Sequence, residues 1–497
     1  MKATAEHVLP PEDIASACQQ LATDGARLQM AYAWFPQPEE PPEVLYLADR
    51  GPGEAFPLLR CRLPRGVAEL RSLAAQIPLL GWYEREMMDL CGITFTGHPE
   101  PRPLVLHEGA HPAMPPLDPR YPKNEMIAFT SMPWELPQVE GSDVQMLPFG
   151  PVRGDVLESA QIAFYYIGEA ILHCHPRLFF KHRGMEKRFE GLTAQFGVLV
   201  AERVSAIGSV SHALAFCQAV ETACECEIPS RARYVRTMLA EMERLYNHLY
   251  YLGHLCHTTT LKVGEAQGKL LAEQCKQLNG IFTGSRFLRG LLKPGGLRRD
   301  LNLHELPSKL YALEPEIEDY MQALEKTNSH LDRLITTGHL PQNVAFDQGA
   351  SGPIKRASGI ERDLRLDHPY AAYDSFPFKI SIRQEGDAHA RAQVRMEEIR
   401  GSIRMIVEAI EQMPEGPVER DLHPIPGSEG LGWCEGPRGS TYYCVHLDSA
   451  GRLARVKVKS PSFSNWRVFP FTVHDTNMMD YAINEASFGL TMAGCDR

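Results

Sequence analysis

The sequence predicts an α+β chain in two parts: a small N-terminal α+β domain, then a mainly helical-bundle domain with a β fringe. Three observations carry this expectation. At 497 residues the chain is too long for one ordinary domain. Short β-rich segments bounded by Pro and Gly fill its first hundred residues around one helical stretch. Long segments with apolar residues at three- and four-residue steps take over after about residue 146.

From about 12 to 24, DIASACQQLATDG reads as a helix with Asp13 near its start and a Gly stop. RLQMAYAWF (27–35), EVLYLAD (43–49) and AFPLLRCRL (55–63) read as strands, and VAELRSLAAQI (67–77) has helical spacing. Residues 99–122 hold too many prolines for regular structure and are expected to run extended across a neighbour. These features place a first domain at 1–125, a Pro-rich linker at 126–145 and the larger domain at 146–497. The latter opens with a pair of strands before its helices. The clearest helix spans 230–253, with Ser230 as cap, Gly253 as stop, and Val235, Met238, Leu239, Met242, Leu245, Leu249 and Leu252 along one face. Segments 203–226, 262–292, 304–336 and 392–413 read similarly; TYYCVHLD and ARVKVKSP return to strand, and a last helix lies near 475–486.

Composition excludes several functions. Net charge is −11, so no basic field draws nucleic acid or an anionic membrane surface. No run of eighteen apolar residues offers a bilayer-spanning helix, and the first twenty residues lack a secretory signal. A cytoplasmic location is expected, with any membrane link made through partners. The twelve cysteines include no CxxC pair, Cys224 and Cys226 being the nearest neighbours. Zinc and iron–sulfur sites usually draw thiolates from such spacings, so reduced, buried thiols are the expectation and no cluster of the chain's own. There is no GxSxG, HExxH, P-loop or GxGxxG.

Polar residues in apolar context are the remaining candidates. In HCHPRLFFKHRGMEKRFE (173–190), His173 and His175 have a weak metal-ligand spacing, for which surface or turn histidines are the plainer reading. Glu186 is either a buried proton carrier or an ordinary helix-start carboxylate. His212, among apolar residues on a helix, is by default a satisfied core histidine. RASGIERDLR (356–365) and EGPRGS (435–440) set Arg beside Gly and acidic residues, as turns near a polar cavity do.

Several longer stretches carry a resemblance. WYEREMMDLCGITFTGHPEPRPL (82–104) resembles the signature of the 30-kDa subunit of respiratory complex I. From about 146 onward, HRGMEK (182–187), AERVSAIGSVSHALAFCQAVE (201–221), RARYVRTMLAEMERLYNHLYYLG (231–253), SGPIKRASGIERDLRLDHPYAAYD (351–374), EGPRG (435–439) and the terminal CDR resemble two relatives. These are the 49-kDa subunit of complex I and the large subunit of group 4 [NiFe] hydrogenases of the formate hydrogenlyase type. In such hydrogenases two CxxC pairs hold nickel, because soft thiolates suit that metal. Ser205, Gly208, Thr491 and Gly494 stand at those positions here, with Cys495 one residue late. The resemblance therefore implies a form without nickel. Its end at Asp496-Arg497, without the tail that active relatives lose on nickel insertion, agrees. Complex I relatives use the vacated cavity for a quinone headgroup, held by a His and a Tyr whose positions fall at Arg153 and Ala206.

What the resemblance further implies is an electron- and proton-coupled module. A small [4Fe–4S] partner subunit would deliver electrons, and antiporter-like membrane subunits would carry ion movement. Glu186 falls at a proton-conducting position, where burial is expected to raise its pKa. Arg153 could hydrogen-bond a quinone carbonyl, and His212 lies near the former metal site. Arg356, Asp363 and Arg438 match polar positions lining or bracing the cavity. The alternative is a non-catalytic subunit that holds the iron–sulfur protein on the membrane arm.

Overall fold

The computed structural model describes all residues except 1–3, 38, 123–124, 137–138, 140, 142, 154–157 and 475; four residues of the linker expected at 126–145 thus lie outside the described residues. The first element is strand β1 (Thr4–Leu9), followed by helix α1 (Pro11–Thr23) and strands β2 (Arg27–Trp34), β3 (Glu43–Asp49) and β4 (Phe56–Arg62). They form one sheet in the order β1-β4-β3-β2, with β1 parallel to β4 and the other pairs antiparallel. Helix α1 buries Ile14, Cys18 and Leu21 against it. Every residue of β3 is buried, because the larger part of the chain covers the opposite face. Tyr32 Oη meets His446 Nε2 there at 3.0 Å, and the Phe56 ring lies 5.0 Å from that of Trp433.

Residues 67–77 do not form the expected helix. They make a short strand, β5 (Glu69–Arg71), and a turn that leads into α2 (Gly81–Cys91); β5 pairs in parallel with β6 (Thr94–Thr96). The reason is tertiary: the Glu84 carboxylate of α2 takes the Leu73 N–H at 2.8 Å and the Ser72 hydroxyl, drawing this turn away from helical bonding. The proline-rich stretch that follows is irregular apart from β7 (Ala110–His111), which pairs with β8 (Ala128–Phe129).

The expected strand pair is three strands, β9 (Gln145–Phe149), β10 (Gln161–Ile167) and β11 (Ala170–Arg177), in an antiparallel meander. Short helices α3 (Met185–Phe189) and α4 (Ala194–Ala201) lead into the bundle of α5 (Ser209–Ala223), α6 (Ser230–Thr258) and α7 (Lys262–Thr283). Helix α6 departs from expectation at both ends. Ser230 makes no side-chain cap bond, and the helix runs through Gly253 to Thr258. Gly253 is there for contact: a Cβ on Gly268 of α7 would lie 2.8 Å from its Cα. The two helices thus meet backbone to backbone.

The hairpin β12 (Leu292–Lys293) and β13 (Gly296–Leu297) precedes α8 (Leu306–Glu325) and α9 (Asn328–Leu334), into which the segment 304–336 divides. Short helices α10 (Gln342–Asp347), α11 (Pro353–Ala357) and α12 (Leu364–Asp367) connect to the long α13 (Ala388–Glu411) beside α6. A three-stranded antiparallel sheet, β14 (Glu429–Gly436), β15 (Gly439–Leu447) and β16 (Leu453–Lys459), lies on α5. Gly430 and Gly432 permit that approach, since a Cβ on either would come within 2.1 Å of the Ala219 or Ala215 carbonyl. The chain closes with α14 (Pro461–Val468), α15 (Tyr481–Phe488) and α16 (Met492–Asp496). Among the described residues no helix is long and apolar enough to cross a membrane.

A thiol-free candidate site

The turn before α5, the β14–β15 hairpin, the start of α14 and the start of α16 converge on a cavity of about 20 Å³. Ser205, Gly208, His212, Arg438, Ser462 and Gly494 all face it. Thr491 stands one contact away, its hydroxyl 3.4 Å from that of Ser462 and capping α16 through the Gly494 N–H at 3.1 Å. Positions nearly 300 residues apart in sequence, expected to share a site, are thus brought together. The space holds about one water molecule.

Two cationic or basic groups front it. His212 Nδ1 meets Tyr443 Oη at 2.9 Å; burial, with Arg183 and Arg497 adding to it, pushes its pKa down to about 3 and keeps the ring neutral. Arg438 donates to the Gly489 carbonyl at 2.6 Å and to Asn247 Oδ1 at 2.9 Å, and burial lowers its pKa to about 10. Neither bond is to a carboxylate, so the guanidinium stays charged at neutral pH without an ion-pair partner among the described residues. A third group carries no signal in the local sequence. Glu243 of α6, wholly inaccessible, accepts from the Val210 N–H at 2.6 Å, the Ser211 N–H at 3.0 Å and the Ser211 hydroxyl, capping α5 beside the cavity. Burial outweighs these bonds and raises its pKa to about 7.

Glu186 behaves in the opposite way to the expectation. It is buried, yet Arg455 approaches at 2.7 Å and Lys457 and Arg497 at 3.2 Å, and the Val458 N–H donates at 3.1 Å. Burial would raise its pKa, but Lys457, Arg455 and Arg497 prevail and hold the carboxyl well below the usual range. Glu86 of α2 joins the same cluster through Lys457 at 2.6 Å and Arg497 at 2.8 Å. Glu186 is therefore a fixed charge tying α2 and α3 to β16, and it does not line the cavity.

Arg356 and Asp363 also sit away from the cavity wall, in a buried network. Arg356 contacts Asp363 at 3.0 Å, Glu435 at 2.9 Å and Glu398; Arg365 contacts Asp363 at 2.8 Å, and Arg244 contacts Glu398 and Glu241 at 3.1 Å. Three guanidiniums thus interlock with four carboxylates in the heart of the bundle. Arg153 donates from Nη1 to both carboxylate oxygens of Glu485 of α15, at 2.8 and 3.0 Å, and its guanidinium lies 5.6 Å over the Phe149 ring. It is not among the residues that face the cavity. His173 and His175 lie on β11 with ring centroids 6.2 Å apart, where Arg102 reaches His175 Nε2 at 3.1 Å.

The donors facing the cavity are hydroxyls, an imidazole and a guanidinium. None of the twelve cysteines lines it, and Cys495, adjacent in sequence, is buried with its thiol toward Asp496. This donor set does not fit nickel, which needs soft, anionic sulfur. A quinone ring does not fit the space, since small-molecule sites run to a few hundred Å³.

Three family profiles match parts of the chain: the 30 Kd subunit of respiratory-chain NADH dehydrogenase at 8–126, nickel-dependent hydrogenase at 183–276, and the 49 Kd subunit of that dehydrogenase at 272–426 and 420–497. Hydrogenase-4 component G of Escherichia coli is 30% identical over 422 residues, which are 83% of this chain and 73% of that protein. The chain belongs to this hydrogenase and complex I family. Formate hydrogenlyase subunit 5 of Escherichia coli is 29% identical over 437 residues, covering 85% of this chain and 76% of that protein. The C/D subunit of NADH-quinone oxidoreductase from Rhodopseudomonas palustris is 27% identical over 494 residues, covering 88% and 84%. The fold matches a chain of the membrane-bound sulfane sulfur reductase, an archaeal respiratory membrane complex, with a TM-score of 0.68 and 24% identity over 71% of this chain and 99% of that one. The α+β architecture predicted from sequence is that of the family.

Proposed function

We propose that the chain is a nickel-free, hydrogenase-like subunit of a membrane-associated oxidoreductase complex related to complex I and formate hydrogenlyase. The observation that carries this reading is the cavity itself: the expected ligand positions converge on it, yet offer hydroxyls and glycines in place of thiolates. The subunit lies on the cytoplasmic face and touches the membrane only through antiporter-like partners. A small [4Fe–4S] partner brings electrons to the cavity face, from which they pass to a quinone or another small acceptor. Arg438, half-buried and an unpaired cation, is the residue assigned to that acceptor, with His212 a buried, neutral ring in the wall behind it. The acceptor docks outside the 20 Å³ recess, on a surface completed by the iron–sulfur partner. Glu186, Arg153, Arg356 and Asp363 brace this wall rather than meet the acceptor.

A second reading, a non-catalytic subunit that holds the iron–sulfur protein on the membrane arm, is favoured by the small size of the cavity and by the fixed charge of Glu186. The purified complex separates the readings. Stoichiometric nickel, or infrared bands of metal-bound cyanide and carbonyl, would defeat both. Arg438→Ala should cut turnover with all subunits retained if the wall meets an acceptor. Turnover that tracks only subunit retention supports the scaffold.

A further inference from the structure

Where β2 and α2 meet the larger part of the chain, a small cavity of about 10 Å³ lies between the half-buried Arg27 and the buried Lys459 and Arg467, with Gln29, Tyr83 and Ser464 also on its wall. Its volume is that of one atom-sized guest. The three cations come from three elements, β2, the end of β16 and α14, and none of them makes an ion pair among the described residues. Lys459 is 3% exposed and Arg467 7%. Charged groups at such depth are ordinarily paired, because an isolated buried charge costs several kcal/mol.

Their neutral bonds leave donors over. Lys459 Nζ gives one hydrogen bond, to Gln29 Oε1 at 3.0 Å. Arg467 uses only Nη1, toward the Pro78 carbonyl and Gln348 Oε1. Arg27 uses only Nη2, toward the Ala345, Phe346 and Ala350 carbonyls. Of the carboxylates felt by these cations, Asp49 holds His368 at 2.9 Å and Glu435 holds Arg356 at 2.9 Å, while Asp347 acts on Arg27 at a distance without forming an ion pair with it. Lys355, a fourth buried cation whose charge is felt by Lys459, makes no side-chain hydrogen bond or ion pair among the described residues. The site is rich in donors, poor in acceptors and positively charged on three sides.

We propose that this cavity binds a monovalent, halide-sized anion, chloride in the cell, which bridges Arg27 of the N-terminal sheet to Lys459 and Arg467 and so fastens the two parts of the chain together. A water molecule fills the same volume but leaves the charge unanswered. Without the anion, burial and the mutual repulsion of Arg27, Lys355 and Lys459 drive the Lys459 ammonium toward its neutral form. The anion offsets that cost and supplies the acceptor the leftover N–H groups lack.

Thermal unfolding of the full chain in chloride against gluconate, at constant ionic strength, tests the proposal, with bromide-soaked crystals locating the ion by anomalous scattering. The expected result is a midpoint that rises saturably with chloride and a bromide peak among the three side chains. Lys459→Met and the milder Arg467→Lys should each raise the apparent dissociation constant by about tenfold or more, the worth of one charge-assisted bond. Equal midpoints in both salts overturn the proposal. So does a bromide-free cavity, or a chloride response unchanged in Arg467→Lys.

Discussion

Replacing Glu186 by Gln separates a fixed charge from a proton carrier. The substitution keeps the shape of the side chain and removes the charge shared by Arg455 at 2.7 Å, Lys457 at 3.2 Å and Arg497 at 3.2 Å, every partner having a side chain no more than 4% exposed. Glu86 still answers Lys457 and Arg497, but Arg455 loses the one carboxylate it pairs with among the described residues. Breaking a buried pair while leaving one partner charged costs about 3–5 kcal/mol, so the folding equilibrium should fall by a factor of about 150 to 5,000. Urea unfolding of the full chain, followed by circular dichroism and by tryptophan fluorescence, measures this. Adding Arg455→Met should recover part of the loss, because it removes the orphaned cation. The pH dependence has a definite sign. A folded pKa held below the ordinary carboxylate value of 4.5 gives stability that is present above that pH and is lost as pH falls through the folded value. A proton carrier, with its pKa raised, would instead be favoured in its protonated form and penalised as pH climbs toward neutrality. A Glu186→Gln chain with a stability loss below about 1 kcal/mol and a collapse in turnover would refute the fixed-charge account.

Glu243 should show the contrary sign. Its folded pKa of about 7 lies above the ordinary carboxylate value of 4.5, so its contribution is complete below pH 4.5 and is lost as pH rises through 7, by about 3 kcal/mol at most. Stability measured against pH should therefore flatten over that window in Glu243→Gln. Gly268→Ala places a Cβ 2.5 Å from Tyr320 Oη and 2.8 Å from Gly253 Cα; the thermal midpoint should fall by the equivalent of about 1–3 kcal/mol. Arg356→Met leaves the Glu435 carboxylate without an ion-pair partner among the described residues and should cost about 3–5 kcal/mol in urea unfolding. Cysteine at 205, 208, 491 and 494 together should confer binding of one soft divalent ion, read as thiolate-to-metal absorption with cadmium and absent from the parent chain.

What the sequence made legible depended on distance along the chain. Strands β2 to β4 and helix α1 follow from local alternation, apolar spacing and Pro/Gly borders, and each matches within a residue or two. The segment 67–77 has helical spacing yet forms no helix, because the deciding group, Glu84, lies outside it. Gly253 carried a stop signal that its contact with Gly268 overrides. The same principle governs the site. That Ser205, Gly208, Thr491 and Gly494 belong together came from resemblance, since no local pattern links them. Burial of Glu186 is an expectation the sequence supports, but the direction of its pKa shift turns on Arg455, Lys457 and Arg497, which lie about 270 residues or more downstream. Glu243 is an acid on the apolar run of α6, but its partners Val210 and Ser211 lie on another helix.

The walls of the cavity also bear on whether this chain stands one substitution away from a metal site. A Cβ at Gly208 meets nothing closer than 3.4 Å, so cysteine is sterically acceptable there. At Gly494 the nearest atom is Thr491 Oγ1 at 2.7 Å, the hydroxyl that caps α16. Cysteine at 494 therefore requires Thr491 to move or change, and changing Thr491 removes the cap, which costs about 1 kcal/mol by itself. A lone thiol gains nothing in return, because a soft metal needs several sulfurs at once. Each single step back toward four thiolates is neutral or unfavourable, and only their combination offers metal binding. The hydroxyl-lined cavity is thus a self-consistent packing arrangement, with Thr491, Ser462 and Gly494 filling the space that thiolate side chains would need.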